Sequence, residues 1–149
     1  MNRSVALLAV ALTLAFGIAL PSSPAALGAE PVQTVVRVGF VHPQSPSTAP
    51  PSINAFWGRL RELGWIEGQN LVIEARWADG HMERLPALMA EVIGRKIDVL
   101  VTFGTQAALA AKNTTSTVSI VCVAMGEPLR TGLASSLARP GSNLTGTSG

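Results

Sequence analysis

The chain has 149 residues, of which 48% are hydrophobic and 13% are charged, and its formal net charge is +2. This length suits one domain and is too short for two of ordinary size, while the composition excludes a disordered chain. The basic residues are scattered, with Arg95 and Lys96 as the only adjacent pair, and tyrosine is absent. The sequence lacks the basic stripe and the aromatic platform that nucleic-acid binding requires, so we expect no nucleic-acid partner.

The N-terminal segment is typical of an export signal rather than of a folded element. Arg3 gives a short positive region, an uncharged apolar run covers Val5–Leu20, and small residues follow it. Pro21 ends this run short of the roughly 20 apolar residues that a membrane-spanning helix needs. We expect residues 1–29 to be a cleaved signal peptide that directs export, with a retained membrane anchor as the alternative.

Beyond residue 34, apolar residues alternate between the spacing of strands and that of helices. Val35–Val41 predicts a first strand, which a Pro- and Ser-rich loop follows. Ile53–Leu63 carries the apolar face of a helix, which Ser52 can cap and Gly64 can end. Leu71–Trp77 alternates in polarity, which predicts a strand near an edge of the sheet.

The next segment predicts a helix, the most hydrophobic strand and a second helix. Apolar residues at helical spacing span Leu85–Val92, and Pro86 fits this helix only in its first turn. Ile97–Phe103 has no polar face, which predicts a strand at the centre of the sheet. An alanine-rich helix is predicted at Thr105–Lys112, and Asn113–Thr117 forms a polar turn after it.

The last segment predicts two further strands around one helix. Val118–Ala124 is apolar on both faces, leucines at helical spacing mark Leu129–Leu137, and residues 143–147 can start a fifth strand. Cys122 is the single cysteine and lies inside the fourth strand, which favours a buried apolar role over a reactive thiol.

Strand and helix therefore alternate along the whole folded region. This pattern predicts an α/β fold: a doubly wound parallel sheet of about five strands, with helices on both faces and right-handed crossovers. An edge-like second strand beside central first, third and fourth strands favours the strand order 2-1-3-4-5.

In an open sheet of this kind, ligands bind beyond the carboxyl ends of the strands where the order reverses. Here these ends are the loops after the first, third and fourth strands. The candidate ligand-binding residues in these loops are Ser45, Ser47, Gly104, Thr105, Gln106, Met125, Gly126 and Glu127.

The loop at Gly104 has the clearest chemistry. Glycine lets a ligand approach the backbone, and the first amides of the following helix carry partial positive charge that suits a carboxylate or another anion. Thr105 adds a hydroxyl, and Gln106 adds a side-chain amide. Two simpler interpretations stay open: Gly104 and Thr105 can form only a turn with a helix cap, and Glu127 can simply complement a helix dipole.

The residues of the chain give no sign of catalysis. His42 and His81 are the only histidines, and neither has a carboxylate or a cysteine at metal-ligand spacing. The phosphate-binding glycine motifs, the serine-hydrolase elbow and paired carboxylates are all missing from the sequence. We expect no metal, no cofactor and no enzymatic activity.

Four segments resemble the substrate-binding proteins of a bacterial ABC-transporter family. They are RVGFVHPQSPS, FWGRLRELGWIEGQNLVIEARWADG, ERLPALMAEVIGRKIDVLVTFGTQAALAAK and SIVCVAMGEPLRTGLASSLARPGSNLTG. The resemblance implies an exported protein with a type I periplasmic-binding-protein fold that delivers small molecules, aromatic amino acids such as tryptophan among them, to a membrane permease.

The resemblance also implies that ligand is contacted through Ser45–Ser47, Gly104–Gln106 and Met125–Glu127. Two positions depart from the family pattern, because Glu127 usually is Asp and Met125 is not the commonest choice there. Members of the family have two lobes in a chain about twice this length. Residues 30–149 are therefore expected to be the N-terminal lobe, with the second lobe absent.

The function expected from these observations is that of a monomeric, periplasmic solute-binding component of an ABC importer. Its ligand is expected to be an amino acid or another small carboxylate. Two alternatives are an exported flavodoxin-like enzyme and a sensory ligand-binding domain tethered by its first segment.

Overall fold

The computed structural model describes residues 34–126, 131, 133 and 143–148. Within these ranges the chain forms β1 (Val36–His42), α1 (Ser52–Glu62), β2 (Leu71–Trp77), α2 (Leu85–Gly94), β3 (Val99–Phe103), α3 (Thr105–Thr114), β4 (Ser119–Met125) and β5 (Leu144–Ser148). The predicted signal peptide, Glu127 and the predicted helix Leu129–Leu137, apart from Thr131 and the buried Leu133, lie outside the described residues.

The described strands form one parallel sheet in the order β2-β1-β3-β4-β5. This arrangement confirms the predicted α/β class and the predicted order 2-1-3-4-5. β2 lies at an edge, as its alternating polarity indicated, and all the residues of the central strand β3 are buried. In the register of the sheet, His42 pairs with Trp77 and Phe103 pairs with Val123.

Two apolar layers cover the two faces of the sheet. On one face, Ile53, Phe56 and Leu60 of α1 pack against β1 and β3. On the other face, Met89 of α2 and Ala108 of α3 are completely buried against the sheet. Full burial of a large apolar side chain contributes about 1.5–3 kcal/mol, so these layers dominate the stability of the fold.

Gly39 in the middle of β1 permits the close approach of α2 to the sheet. A Cβ atom at this position would lie 2.6 Å from Cδ1 of Ile97 and 3.2 Å from Cγ2 of Val92. A side chain here would require the side chains of Ile97 and Val92 to move. The glycine therefore determines how closely this face of the sheet is packed.

Several helix ends follow the sequence prediction. Gly64 lies just beyond α1 with a φ of +89°, and Pro86 lies in the first turn of α2, where its missing N–H has no cost. The described helices α1, α2 and α3 have 11, 10 and 10 residues. Over the described ranges, no helix has both the length and the apolarity needed to cross a membrane.

Two helix ends differ from the prediction. Ser52 is the first residue of α1 rather than its cap; Pro51 occupies the cap position, and no side-chain hydrogen bond caps the helix. α3 continues to Thr114, beyond the predicted Lys112, and the hydroxyl of Thr114 donates to the carbonyl of Ala110 at 2.7 Å. This bond keeps a polar residue within the helix.

Candidate functional site

The three loops predicted to bind ligand leave the sheet at the same edge. β1, β3 and β4 are neighbours and parallel, so their carboxyl ends at His42, Phe103 and Met125 lie along one rim. We call this edge the rim. It is the place where an open parallel sheet offers backbone amides and loop side chains to a ligand.

Gly104 joins β3 to α3 in a conformation that only glycine adopts readily. Its φ is +82° and its ψ is 161°, and its amide donates to the carbonyl of Val123 at 2.9 Å. A Cβ atom at Gly104 would have nothing within 4 Å. The glycine is therefore required by the backbone, and the space beside it is open.

α3 begins directly after Gly104 without a side-chain cap. The amides of a first helical turn lack partners within the helix and carry the positive end of its dipole. Gln106 lies exposed in this turn, and Ala107 behind it is buried. This helix start can hold a carboxylate, with the side chain of Gln106 available as an additional donor or acceptor.

Thr105 links the loops after β3 and β4. Its Oγ1 accepts a hydrogen bond from the amide of Gly126 at 2.9 Å and donates to the Gly126 carbonyl at 3.3 Å. The contact places Gly104, Thr105 and Gly126 at the same part of the rim. The Thr105 hydroxyl, predicted to face a ligand, is used within the protein to hold these loops together.

The loop after β1 contributes a cluster of hydroxyl groups. Oγ of Ser45 lies 3.0 Å from Oγ of Ser47 and 2.9 Å from Oγ1 of Thr48. The amide of Thr48 also donates to the carbonyl of Ser45 at 3.1 Å, which closes the turn. Ser45 is half-buried and Ser47 is exposed, so the loop presents hydroxyl groups at its surface.

Met125 and Gly126 lie at the end of β4 in different surroundings. Met125 is 5% exposed and packs in the core layer that includes Leu144 of β5, whereas Gly126 is exposed. Just before them, Ala124 has a φ of +57° at an irregularity in the pairing of β4 with β5. Left-handed backbone at a non-glycine residue costs about 1–2 kcal/mol, so the end of β4 is strained beside the rim.

His42 is a rim residue whose burial among aromatic side chains was not predicted from the sequence. It is the last residue of β1, it is 3% exposed, and its ring centroid lies 5.1 Å from the centroids of both Trp77 and Phe103. Its Nδ1 accepts a hydrogen bond from the amide of Gln44 at 3.1 Å. Burial lowers the pKa of His42 below its ordinary value, which favours the neutral ring. The signal in the sequence was an aromatic residue at the end of each neighbouring strand.

Cys122 is buried, as its surroundings in the sequence predicted. Burial raises the pKa of its thiol to about 12, and the Sγ donates a hydrogen bond to the Gly104 carbonyl at 3.5 Å. A thiol of this kind stays protonated at neutral pH and is a poor nucleophile. Among the described residues, no group of three histidine, cysteine or acidic side chains could hold a metal ion.

A groove of about 540 Å³ lies elsewhere, between α1 and the edge strand β2, with Trp57, Trp65 and Trp77 in its lining. None of the candidate ligand-binding residues that the structure describes lines this groove. The candidate residues lie instead at the rim, where the first amides of α3, hydroxyl groups and a glycine corner meet. The groove is formed by the side of a helix and the face of an edge strand.

Comparisons with known proteins agree with this arrangement. A family model described as ABC transporter substrate binding protein matches residues 52–149. A tyrosine-binding protein of Clostridioides difficile (strain R20291) is 32% identical over 89 residues, which cover 60% of this chain and 26% of that protein. The chain thus spans about a quarter of the length of this curated relative.

Solved structures share the fold. A ligand-free, open substrate-binding protein with adhesive properties from Clostridium difficile has a TM-score of 0.71 at 26% identity, and a conserved domain protein from Vibrio cholerae has 0.72 at 27%. A complex with L-Trp from Streptococcus pneumoniae has 0.68 at 22% identity, which shows the fold alone. These matches cover 76% or 77% of this chain and 39% of each solved chain.

The family match covers most of the chain, including α1 and every later element of the described fold. The family consists of substrate-binding proteins and is not an enzyme family. The sheet order, the rim and the matched residues lead to one conclusion: the chain belongs to the ABC transporter substrate binding protein family.

Proposed function

We propose that residues 30–149 are the N-terminal lobe of a periplasmic solute-binding protein that passes an amino acid to the permease of an ABC importer. The observation that carries this proposal is the rim, where the uncapped start of α3 lies beside the Gly104 corner and the Thr105–Gly126 link. Such a site binds an anionic group without a metal or a cofactor.

An amino acid suits the chemistry of the rim. Its carboxylate would accept hydrogen bonds from the first amides of α3, and its ammonium group would donate to hydroxyl oxygens in the loop of Ser45 and Ser47. Three half-buried or buried aromatic side chains near the end of β1, Trp57, Trp77 and Phe103, offer an apolar surface for the rest of the ligand. The tyrosine-binding relative supports an aromatic amino acid as the ligand.

A second lobe would complete the site. Ligand pockets usually enclose 70–90% or more of a small ligand, and a rim at the edge of one sheet leaves the opposite side of the ligand in water. The solved relatives continue well beyond the region that matches this chain. We propose that the second lobe covers the rim and that closure of the two lobes is the signal read by the permease.

Residues 1–29 would direct export and be removed, so that the protein works as a soluble monomer. N-terminal sequencing of the exported protein tests this part of the proposal. A mature terminus close to Glu30 supports a cleaved signal peptide. An intact Met1 in a membrane fraction supports the tethered sensory domain instead.

Thermal denaturation of the full-length protein, as its gene encodes it, tests ligand binding with the twenty common amino acids and small carboxylates such as acetate. A ligand at 100 times its dissociation constant stabilises a protein by about 2.7 kcal/mol, which raises the melting temperature measurably. We expect aromatic amino acids to give the largest rise.

Ser45→Ala should reduce this rise, because it removes the hydroxyl that bonds to both Ser47 and Thr48. Ser52→Ala is the matched control, since Ser52 is exposed and caps nothing. A melting temperature that no amino acid or carboxylate changes would contradict the proposed function.

A further inference from the structure

His42 is enclosed by aromatic rings at the end of β1. Its ring lies 6.0 Å from that of Phe40, nearly parallel at 14°, and is tilted against the rings of Trp77 and Phe103. These are apolar neighbours from three adjacent strands. A phenylalanine would fill this space without a polar atom. The presence of an imidazole therefore indicates that its ring nitrogens make specific hydrogen bonds.

The hydrogen bond from Gln44 determines which nitrogen of His42 carries the proton. Because the Gln44 amide is a donor, Nδ1 must accept, and a neutral imidazole then carries its proton on Nε2. Nε2–H is thus a fixed hydrogen-bond donor on the distal side of the ring. The one hydrogen bond that His42 makes with described side chains or amides is at Nδ1, and no side-chain nitrogen or oxygen among the described residues is both buried and unpartnered, so Nε2 reaches the surface.

The Nε2–H donor lies among apolar rings, so it favours a ligand that places an oxygen acceptor against it. When a bound ligand excludes water from this N–H group, the ligand must supply an acceptor, and because the ligand carboxylate is assigned to α3, that acceptor is an uncharged oxygen. With only 3% of His42 exposed, a ligand can touch the ring at one small place. Contact at this position would be directional and would involve a single ligand atom.

We propose that His42 is a specificity-determining residue of the rim, whose Nε2–H donates a hydrogen bond to an uncharged oxygen on an aromatic ligand. The inference rests on the proposed function, because it assumes that an amino acid binds with its carboxylate at α3. A phenolic hydroxyl is such an oxygen. His42 then makes the site prefer L-tyrosine to L-phenylalanine, which differ by this group alone.

Two substitutions separate the two nitrogens of His42. His42→Gln keeps a nitrogen donor near the position of Nε2 and loses the acceptor for Gln44. His42→Asn keeps an acceptor near the position of Nδ1 and loses the distal donor. A residue that only orients the loop through Gln44 would tolerate Asn better than Gln, whereas a ligand donor would tolerate Gln better than Asn.

Calorimetric titration of the full-length protein with L-tyrosine and with L-phenylalanine measures the effect. We expect the wild type to bind L-tyrosine about tenfold more tightly, which is the value of one good neutral hydrogen bond. His42→Gln should retain most of this preference, and His42→Asn should abolish it while still binding both ligands. A preference kept by Asn and lost by Gln, or equal binding of both ligands by the wild type, overturns the inference.

The nitrogen-15 resonances of the wild-type imidazole give a second test that needs no variant to fold. We expect the proton on Nε2, and we expect the Nε2 resonance to move on addition of L-tyrosine but not of L-phenylalanine. A proton on Nδ1, or equal shifts with both ligands, overturns the assignment of His42 alone. If the wild type binds no amino acid, both the proposed function and the role of His42 are wrong.

Discussion

Gly104 combines a backbone conformation that requires glycine with open space beside it at the rim. Its φ of +82° and ψ of 161° lie in a region that is essentially limited to glycine. The space beside Gly104 is also open, since a Cβ atom there would have no neighbour within 4 Å. The need for glycine therefore comes from the backbone and not from crowding. A substitution at Gly104 therefore acts on the backbone before it acts on a ligand.

We predict that Gly104→Ala lowers the free energy of unfolding by about 1–3 kcal/mol, measured by urea denaturation. Gly58→Ala is the matched control, since Gly58 lies inside α1 with equally open surroundings. That change should instead stabilise the protein by about 0.5–1 kcal/mol, as expected for glycine replaced within a helix. Equal stability of Gly104→Ala and the wild type would show that the corner is not strained.

His42 gives a prediction for the dependence of stability on pH. Burial lowers the pKa of His42 in the folded protein below the ordinary value of 6.5. The unfolded chain therefore binds the proton more readily, so this contribution to stability is complete above pH 6.5 and is lost as the pH falls below it. Its neighbours Phe40, Trp77 and Phe103 carry no charge that would oppose this effect.

Urea denaturation from about pH 5 to about pH 8, the range in which histidine titrates, measures this dependence. His42→Phe should flatten the slope below pH 6.5, because it removes the buried imidazole. A slope that persists in His42→Phe would assign the titration to another group.

At the scale of elements, the link between α3 and the end of β4 holds two loops of the rim in register. We predict that Thr105→Val speeds hydrogen exchange at the Gly126 amide and destabilises the protein by about 0.5–1.5 kcal/mol, because the bond from Gly126 to Oγ1 is lost. Thr105→Ser keeps the hydroxyl and should exchange like the wild type. Unchanged exchange in Thr105→Val would mean that the link does not restrain the loop.

The elements were predictable because their apolar spacing is strong. β2 has its predicted bounds, and β3, predicted as Ile97–Phe103 and observed as Val99–Phe103, was recognised as central because it shows no exposed alternation. The helix ends were harder, because they depend on local hydrogen bonds. The Thr114 hydroxyl bonds back to Ala110 within α3, and nothing in the spacing of apolar residues shows such a bond.

At the scale of the whole molecule, the sheet order was predictable and the contacts at the rim were not. Parallel strands with one reversal must bring the loops after β1, β3 and β4 to one edge, so Gly104 and Gly126 could be grouped from the sequence. The register between strands decides which side chains touch. It brings His42 beside Trp77 and turns the Thr105 hydroxyl toward Gly126, and neither contact follows from spacing along the chain.

Amide chemical shifts of the full-length protein, recorded during titration with L-tyrosine, test most directly whether the rim is the ligand site. We predict that the largest changes fall on Ser45–Thr48, Gly104–Ala107 and Gly126, the amides of the loops that meet at the rim. Changes centred on Arg61 and Trp65 in the groove between α1 and β2, with the rim unaffected, would contradict the account.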